Sequence, residues 1–163
     1  MLADAPQFLI NLEQSGFGAA IRQSVWIYPA ANVGHILFLA VFAGAVAMMD
    51  LRLVGAYSSA TPMTIVRPAR RLAVIGLLGM IATGFVLFTA EASHVATNRV
   101  FQIKAVLIVL GLVNAGVIHS RLNDALDHVP AFEPLPASVR LSALVSLLIW
   151  ISVAACGRLI AYF

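Results

Sequence analysis

Residues 23–49, QSVWIYPAANVGHILFLAVFAGAVAMM, run for 27 positions without an Asp, Glu, Lys or Arg. A helix crossing the hydrocarbon of a bilayer needs about 20 mostly apolar residues at ~1.5 Å of rise each, so this stretch alone is long enough to span. Three more windows without those residues follow at 72–90, 105–120 and 141–157. The last two reach spanning length by taking in 100–104 and 138–140, which places Lys104 inside the third helix. The pattern predicts an all-α polytopic membrane protein. It is read as a four-transmembrane-helix bundle forming a single domain over 1–163, with spans at about 26–49, 71–90, 99–119 and 138–160.

Composition points the same way. The chain is 61% apolar and only 10% charged, with a mean hydropathy of +0.97. Soluble domains carry roughly a quarter charged residues, so the solvent for this fold is the lipid bilayer. A pI near 9.6 raises the question of nucleic acid, but the arginines sit at helix ends rather than in a patch with interleaved aromatics. No nucleic-acid partner is expected. The single cysteine, Cys156, forms no intramolecular disulfide and belongs to no CxxCH motif, which excludes covalent c-type haem attachment.

The opening MLADAPQFLINLEQSGFG has no basic n-region and carries Asp4 and Glu13, so it reads as mature chain rather than a cleaved signal. Asp4 is placed to cap a short helix with Pro6 in its first turn and Phe8, Leu9 and Leu12 on one side, an expected interfacial helix. Two proline-containing stretches, SSATPMTIVRPAR (58–70) and HVPAFEPLP (128–136), read as loops. Arg52, Arg67, Arg70, Arg71, Arg121 and Arg140 lie on the side of these loops, against Arg22, Arg99, Lys104 and Arg158 on the other. By the positive-inside rule the loops are cytoplasmic and both termini lie on the outer side. Trp26, Tyr28, Tyr162 and Phe163 are expected at the outer interface. Gly44, Gly76, Gly79, Gly84, Gly111 and Gly116 offer surfaces for close helix approach.

Few side chains remain to carry chemistry. His35 lies ~13 Å below Trp26 at helical rise, where an ionisable group is costly without a role. Neutral imidazole is a normal axial ligand for haem iron, although a hydrogen bond to a neighbouring helix is the plainer use of such a residue. Lys104 lies ~9 Å from Asn98 on the helix that enters from the same face, hence at a similar level. It either snorkels to the headgroups or, desolvated and neutral, serves as a metal ligand or proton acceptor. His94, just outside the membrane on that face, is the reserve ligand. His119 lies ~30 Å along the third helix from Asn98 and is not paired with His35; it stands near His128 at the other end. Glu91 with Arg99, and Asp50 with Arg52, are read as ion pairs at helix ends. Met48, Met49, Met63 and Met80 form no MxxM or MxxxM row, so core filling explains them better than copper.

Residues 15–55 (SGFGAAIRQSVWIYPAANVGHILFLAVFAGAVAMMDLRLVG), with TGFVLFTAEA (83–92), NRVFQIK (98–104) and Asn114, resemble an uncharacterised family of bacterial four-span inner-membrane proteins. DLRLVG and FQIK are the most specific pieces. More distantly, HILFLAVFAG (35–44) and FQIKAVLIVLGLVNAGVIH (101–119) look like the matching helices of HemJ-type protoporphyrinogen oxidases and copper-resistance D membrane domains. The HemJ likeness implies a first-span histidine and a third-span lysine in haem binding, here His35 and Lys104. The tryptophan common shortly after that histidine is replaced by Ala40, Val41 or Phe42, and the family's acidic, proline-rich ending is absent.

The leading expectation is a b-type haem site serving electron transfer or a redox subunit. His35 is one axial ligand, Lys104 or His94 the other, and Arg22 and Arg99 face the propionates. Its partners would be a redox protein or further copies of the chain. The alternatives are copper or small-solute handling through His35 and Met80, and a non-catalytic membrane anchor or oligomerisation subunit.

Overall fold

The computed structural model describes residues 5–162, with side chains for all of these except 119–125 and 127. Asp4, Phe163 and the side chains of His119 and Arg121 therefore lie outside the described residues. Seven helices follow one another: α1 (Gln7–Gln14), α2 (Gly16–Gln23), α3 (Ile27–Val54), α4 (Pro62–Ala90), α5 (Ala92–Thr97), α6 (Arg99–Asp127) and α7 (Ala137–Leu159). Four of them, α3, α4, α6 over Arg99–Ile118, and α7, are long and apolar enough to cross a membrane, with mean hydropathies of 2.0, 2.3, 2.0 and 2.0. Their outward faces carry Ile36, Leu78, Val106 and Ile151, all exposed, as expected where lipid rather than water is the neighbour.

The helices form two hairpins. α3 packs along most of α4, α6 along α7, and α3 joins the pairs by packing on α7, whereas α4 and α6 barely touch. Close approach of α3 and α4 depends on missing side chains. A Cβ at Gly76 would lie 2.8 Å from the backbone nitrogen of Phe42, and one at Gly34 would lie 3.2 Å from Thr83 Cγ2. Between α6 and α7, a Cβ at Gly111 would lie 2.8 Å from the Trp150 ring. Lipid tails supply no hydrophobic drive for association, so such contacts and interhelical hydrogen bonds hold the bundle. Asn114 and Ser142 provide a reciprocal pair: the Ser142 hydroxyl donates to Asn114 Oδ1 at 2.5 Å, and Asn114 Nδ2 donates to the Ser142 carbonyl at 3.0 Å.

Two clusters make the core. Phe42, Ala45, Val46 and Ala73 lie at mid-height, with Met80 and Trp150 packed against them. Leu53, Met63, Val66, Leu126, Leu135, Val139 and Ala143 fill the end away from the termini. The loops of that end are tied together: Phe132 N–H donates to the Ser58 carbonyl at 2.7 Å, and Arg140 Nε to the Val54 carbonyl at 3.1 Å. Gly55 closes α3 with φ +126, a value open to glycine, and its N–H returns to the carbonyls of Leu51 and Arg52.

The reading of 58–70 as a loop is corrected. α4 begins at Pro62, where the missing N–H of proline falls among donors that are unpaired in any first turn. Pro68 lies within the helix, yet Met63, Val66 and Ala69 bury against neighbours and hold the segment helical. α3 likewise continues past Met49 to Val54, bringing Asp50 and Arg52 inside a helix. The 128–136 segment is non-helical. At the opposite end α1, α2 and α5 pack across the tops of α3, α4 and α6. Pro6 rather than Asp4 stands at the N-cap of α1, and Leu9 is its buried residue while Phe8 is exposed.

Candidate functional site

The terminus-bearing half holds His35 on α3 and Lys104 on α6. His35 points toward α4, where its Nδ1 lies 3.0 Å from Thr83 Oγ1. The Thr83 hydroxyl donates in turn to the Gly79 carbonyl at 2.7 Å. With its hydrogen so committed, the Thr83 oxygen accepts, which assigns the imidazole proton to Nδ1 and leaves a lone pair on Nε2. Gly84 makes room for the ring, since a Cβ there would lie 3.1 Å from His35 Cε1. A hydrogen bond at one ring nitrogen fixes the imidazole's orientation, as the outer partner of a metal-ligating histidine does.

Lys104 is half-buried rather than extended to the surface. Its Nζ lies 3.4 Å from where a Cβ of Gly157 on α7 would stand. Both residues singled out from the sequence thus lie in the terminus-bearing half of the bundle, His35 positioned by Thr83 between α3 and α4 and Lys104 turned toward Gly157 on α7. Thr83 is not apparent in the sequence, because a threonine in an apolar span is a common filler.

The other predicted residues sit farther out. His94 on α5 and Arg99 at the start of α6 are exposed, as is Glu91. Arg22 bridges elements: its Nη1 donates to the carbonyls of Glu13 at 2.7 Å and Ala90 at 3.1 Å, covering the C-terminal end of α4. Beside it the Glu13 carboxylate accepts from Ser93 N at 2.9 Å and Ser93 Oγ at 2.5 Å, pinning α1 to the first turn of α5. The Ser93 hydroxyl first, then its N–H, hold the Glu13 carboxyl below its ordinary value against a smaller effect of burial, with Arg22 and His94 adding to the lowering. Met80 packs against the Phe42 cluster, and His128 is exposed at the far end. No group of three or more His, Cys, Asp or Glu capable of holding a metal ion occurs among the described residues.

The expected Asp50–Arg52 pair does not form. Residues two apart on a helix face different directions, and Arg52 instead donates from Nε and Nη2 to the Ala60 carbonyl at 3.2 and 2.8 Å. Asp50 turns inward and is 1% exposed. Ser146 lines the same cavity, and neither carboxylate oxygen has a hydrogen-bond partner among the described residues.

Four spans with a small set of intramembrane polar side chains define a multi-pass membrane protein. More particularly, the chain belongs to DUF6644, a family of unknown function, whose model matches residues 13–163. No curated protein and no solved structure matches it.

Proposed function

We propose that the chain is a membrane-embedded b-type haem protein of redox function, with His35 as one axial ligand and Lys104 as the other. The observation that carries this reading is the imidazole fixed through Nδ1 by Thr83, with the half-buried Lys104 in the same half of the bundle. The donor set suits the group, since two nitrogen ligands favour low-spin iron, and an outer hydrogen bond on the imidazole fixes its tautomer and raises its basicity.

Bound haem supplies one-electron chemistry. The chain's own residues do the rest. Thr83 orients His35, Gly84 leaves space for the ring, and Gly157 leaves space for Lys104. His94 and Arg99 lie at the adjacent exposed end, where they can face propionates; Arg22 already serves two carbonyls. The resemblance of 35–44 and 101–119 to HemJ-type helices, which would set a histidine and a lysine at these positions, also supports the reading.

A reduced-minus-oxidised optical spectrum of the detergent-purified protein tests it, after haem supplementation, alongside His35→Ala and Lys104→Ala. The expected result is low-spin α and Soret bands, lost in His35→Ala and converted to a high-spin form in Lys104→Ala. A featureless spectrum overturns the reading. Stoichiometric copper without porphyrin would move the function to metal handling, and absence of any cofactor would leave a structural membrane subunit.

A further inference from the structure

A second site lies in the half of the bundle away from the termini, and it does not depend on haem. A cavity of about 270 Å³ is enclosed by α3, α4, α6 and α7, and neither His35 nor Lys104 lines it. Its walls are apolar: Phe42, Val46, Ala73, Leu77 and the edge-to-face Phe42–Trp150 pair, with ring centroids 4.6 Å apart. Asp50, Ser146 and Arg70 interrupt them. Val74 on α4 and Leu112 on α6 line the cavity and are exposed, so its mouth opens between the two helices that barely touch, toward the bilayer.

We propose that this cavity binds a small lipophilic organic cation, a primary to tertiary amine, with its ammonium on the Asp50 carboxylate and its apolar body against Phe42 and Trp150. An acidic side chain at membrane depth is costly, and those that persist pair with a partner or mark a substrate or ion path. Asp50 is 1% exposed and neither of its carboxylate oxygens has a hydrogen-bond partner among the described residues, so an ammonium entering the cavity would supply the partner it lacks there. A bare metal ion is a poor candidate. Hard cations take 6–8 oxygen ligands, or octahedral coordination for magnesium, and this cavity offers one carboxylate and one hydroxyl. An ammonium needs fewer partners, and aromatic faces stabilise it further. A lipophilic amine also partitions into the bilayer, from which the mouth is reached. Arg70 lies in the wall but has interactions of its own.

Calorimetric titration of the detergent-purified full chain with benzylamine, benzyl alcohol and benzoate, against micelles alone, tests the proposal. Benzylamine is expected to bind saturably, with benzyl alcohol weaker by about thirtyfold, the scale of a desolvated charge pair. Asp50→Asn should erase that preference, and Ala73→Leu, which fills the cavity, should abolish binding while His35→Ala leaves it unchanged. Equal affinity for benzylamine and benzyl alcohol, preference for benzoate, or no saturable binding by the unsubstituted chain overturns the proposal. Because those comparisons use the unsubstituted chain, failure of a variant to fold does not protect the idea.

Discussion

Thr83 Oγ1 stands 3.0 Å from His35 Nδ1 and donates its own hydrogen to the Gly79 carbonyl. Valine at 83 keeps the shape of threonine and removes the acceptor. Thr83→Val should lower stability by about 1 kcal/mol, the scale of one hydrogen bond, and free the imidazole to change tautomer. In haem-loaded protein the reduction potential and α band should shift, and Thr83→Ser should restore them. A purely structural role predicts the stability change alone.

Gly76 and Gly44 are both on membrane-spanning helices but differ in surroundings. A Cβ at Gly76 meets the Phe42 backbone at 2.8 Å, which no side-chain rotation relieves, while nothing lies within 4 Å of one at Gly44. Gly76→Ala should therefore cost about 1–3 kcal/mol, as overpacking does. Gly44→Ala should be neutral or slightly stabilising. Thermal unfolding of both variants in one detergent checks the contrast.

Asn114 and Ser142 join α6 to α7 through two hydrogen bonds. Interhelical bonds of this kind contribute about 0.6–2 kcal/mol in membranes. Asn114→Leu and Ser142→Ala should each destabilise on that scale. The double variant should cost less than the sum, since either change removes the shared contact. Steric trapping or SDS-titration unfolding would read the cycle.

Glu13 gives a pH dependence at the terminus-bearing end. Its folded value is lowered, so the Glu13–Ser93 link is fully present above the ordinary carboxylate value of 4.5 and is lost as pH falls through the lowered one. Hydrogen exchange at the α5 amides should accelerate only in acid below that range. Glu13→Gln should show the faster exchange already at neutral pH.

Much of this architecture is legible in the residue order. The four apolar windows required helices, because backbone hydrogen bonding in lipid admits little else, and helices run over all four. His35 and Lys104 stood out because ionisable groups are rare at that depth. Two prolines give 58–70 the look of a loop, yet it is helical from Pro62, held by Met63, Val66 and Ala69, whose burial is a property of the assembled bundle. Asp50 was assigned to Arg52 by nearness in sequence, although a spacing of two already separates them on a helix.

Hydrophobic length is a local property, so the residue order is enough to count the helices long and apolar enough to cross a membrane. Which face of each helix meets a neighbour is another matter. In a bilayer the lipid-facing and protein-facing sides are both apolar, and no polar stripe marks the interior. Tertiary structure alone therefore decided that His35 meets Thr83, that Lys104 turns to Gly157, and that Asp50 faces a cavity without a partner.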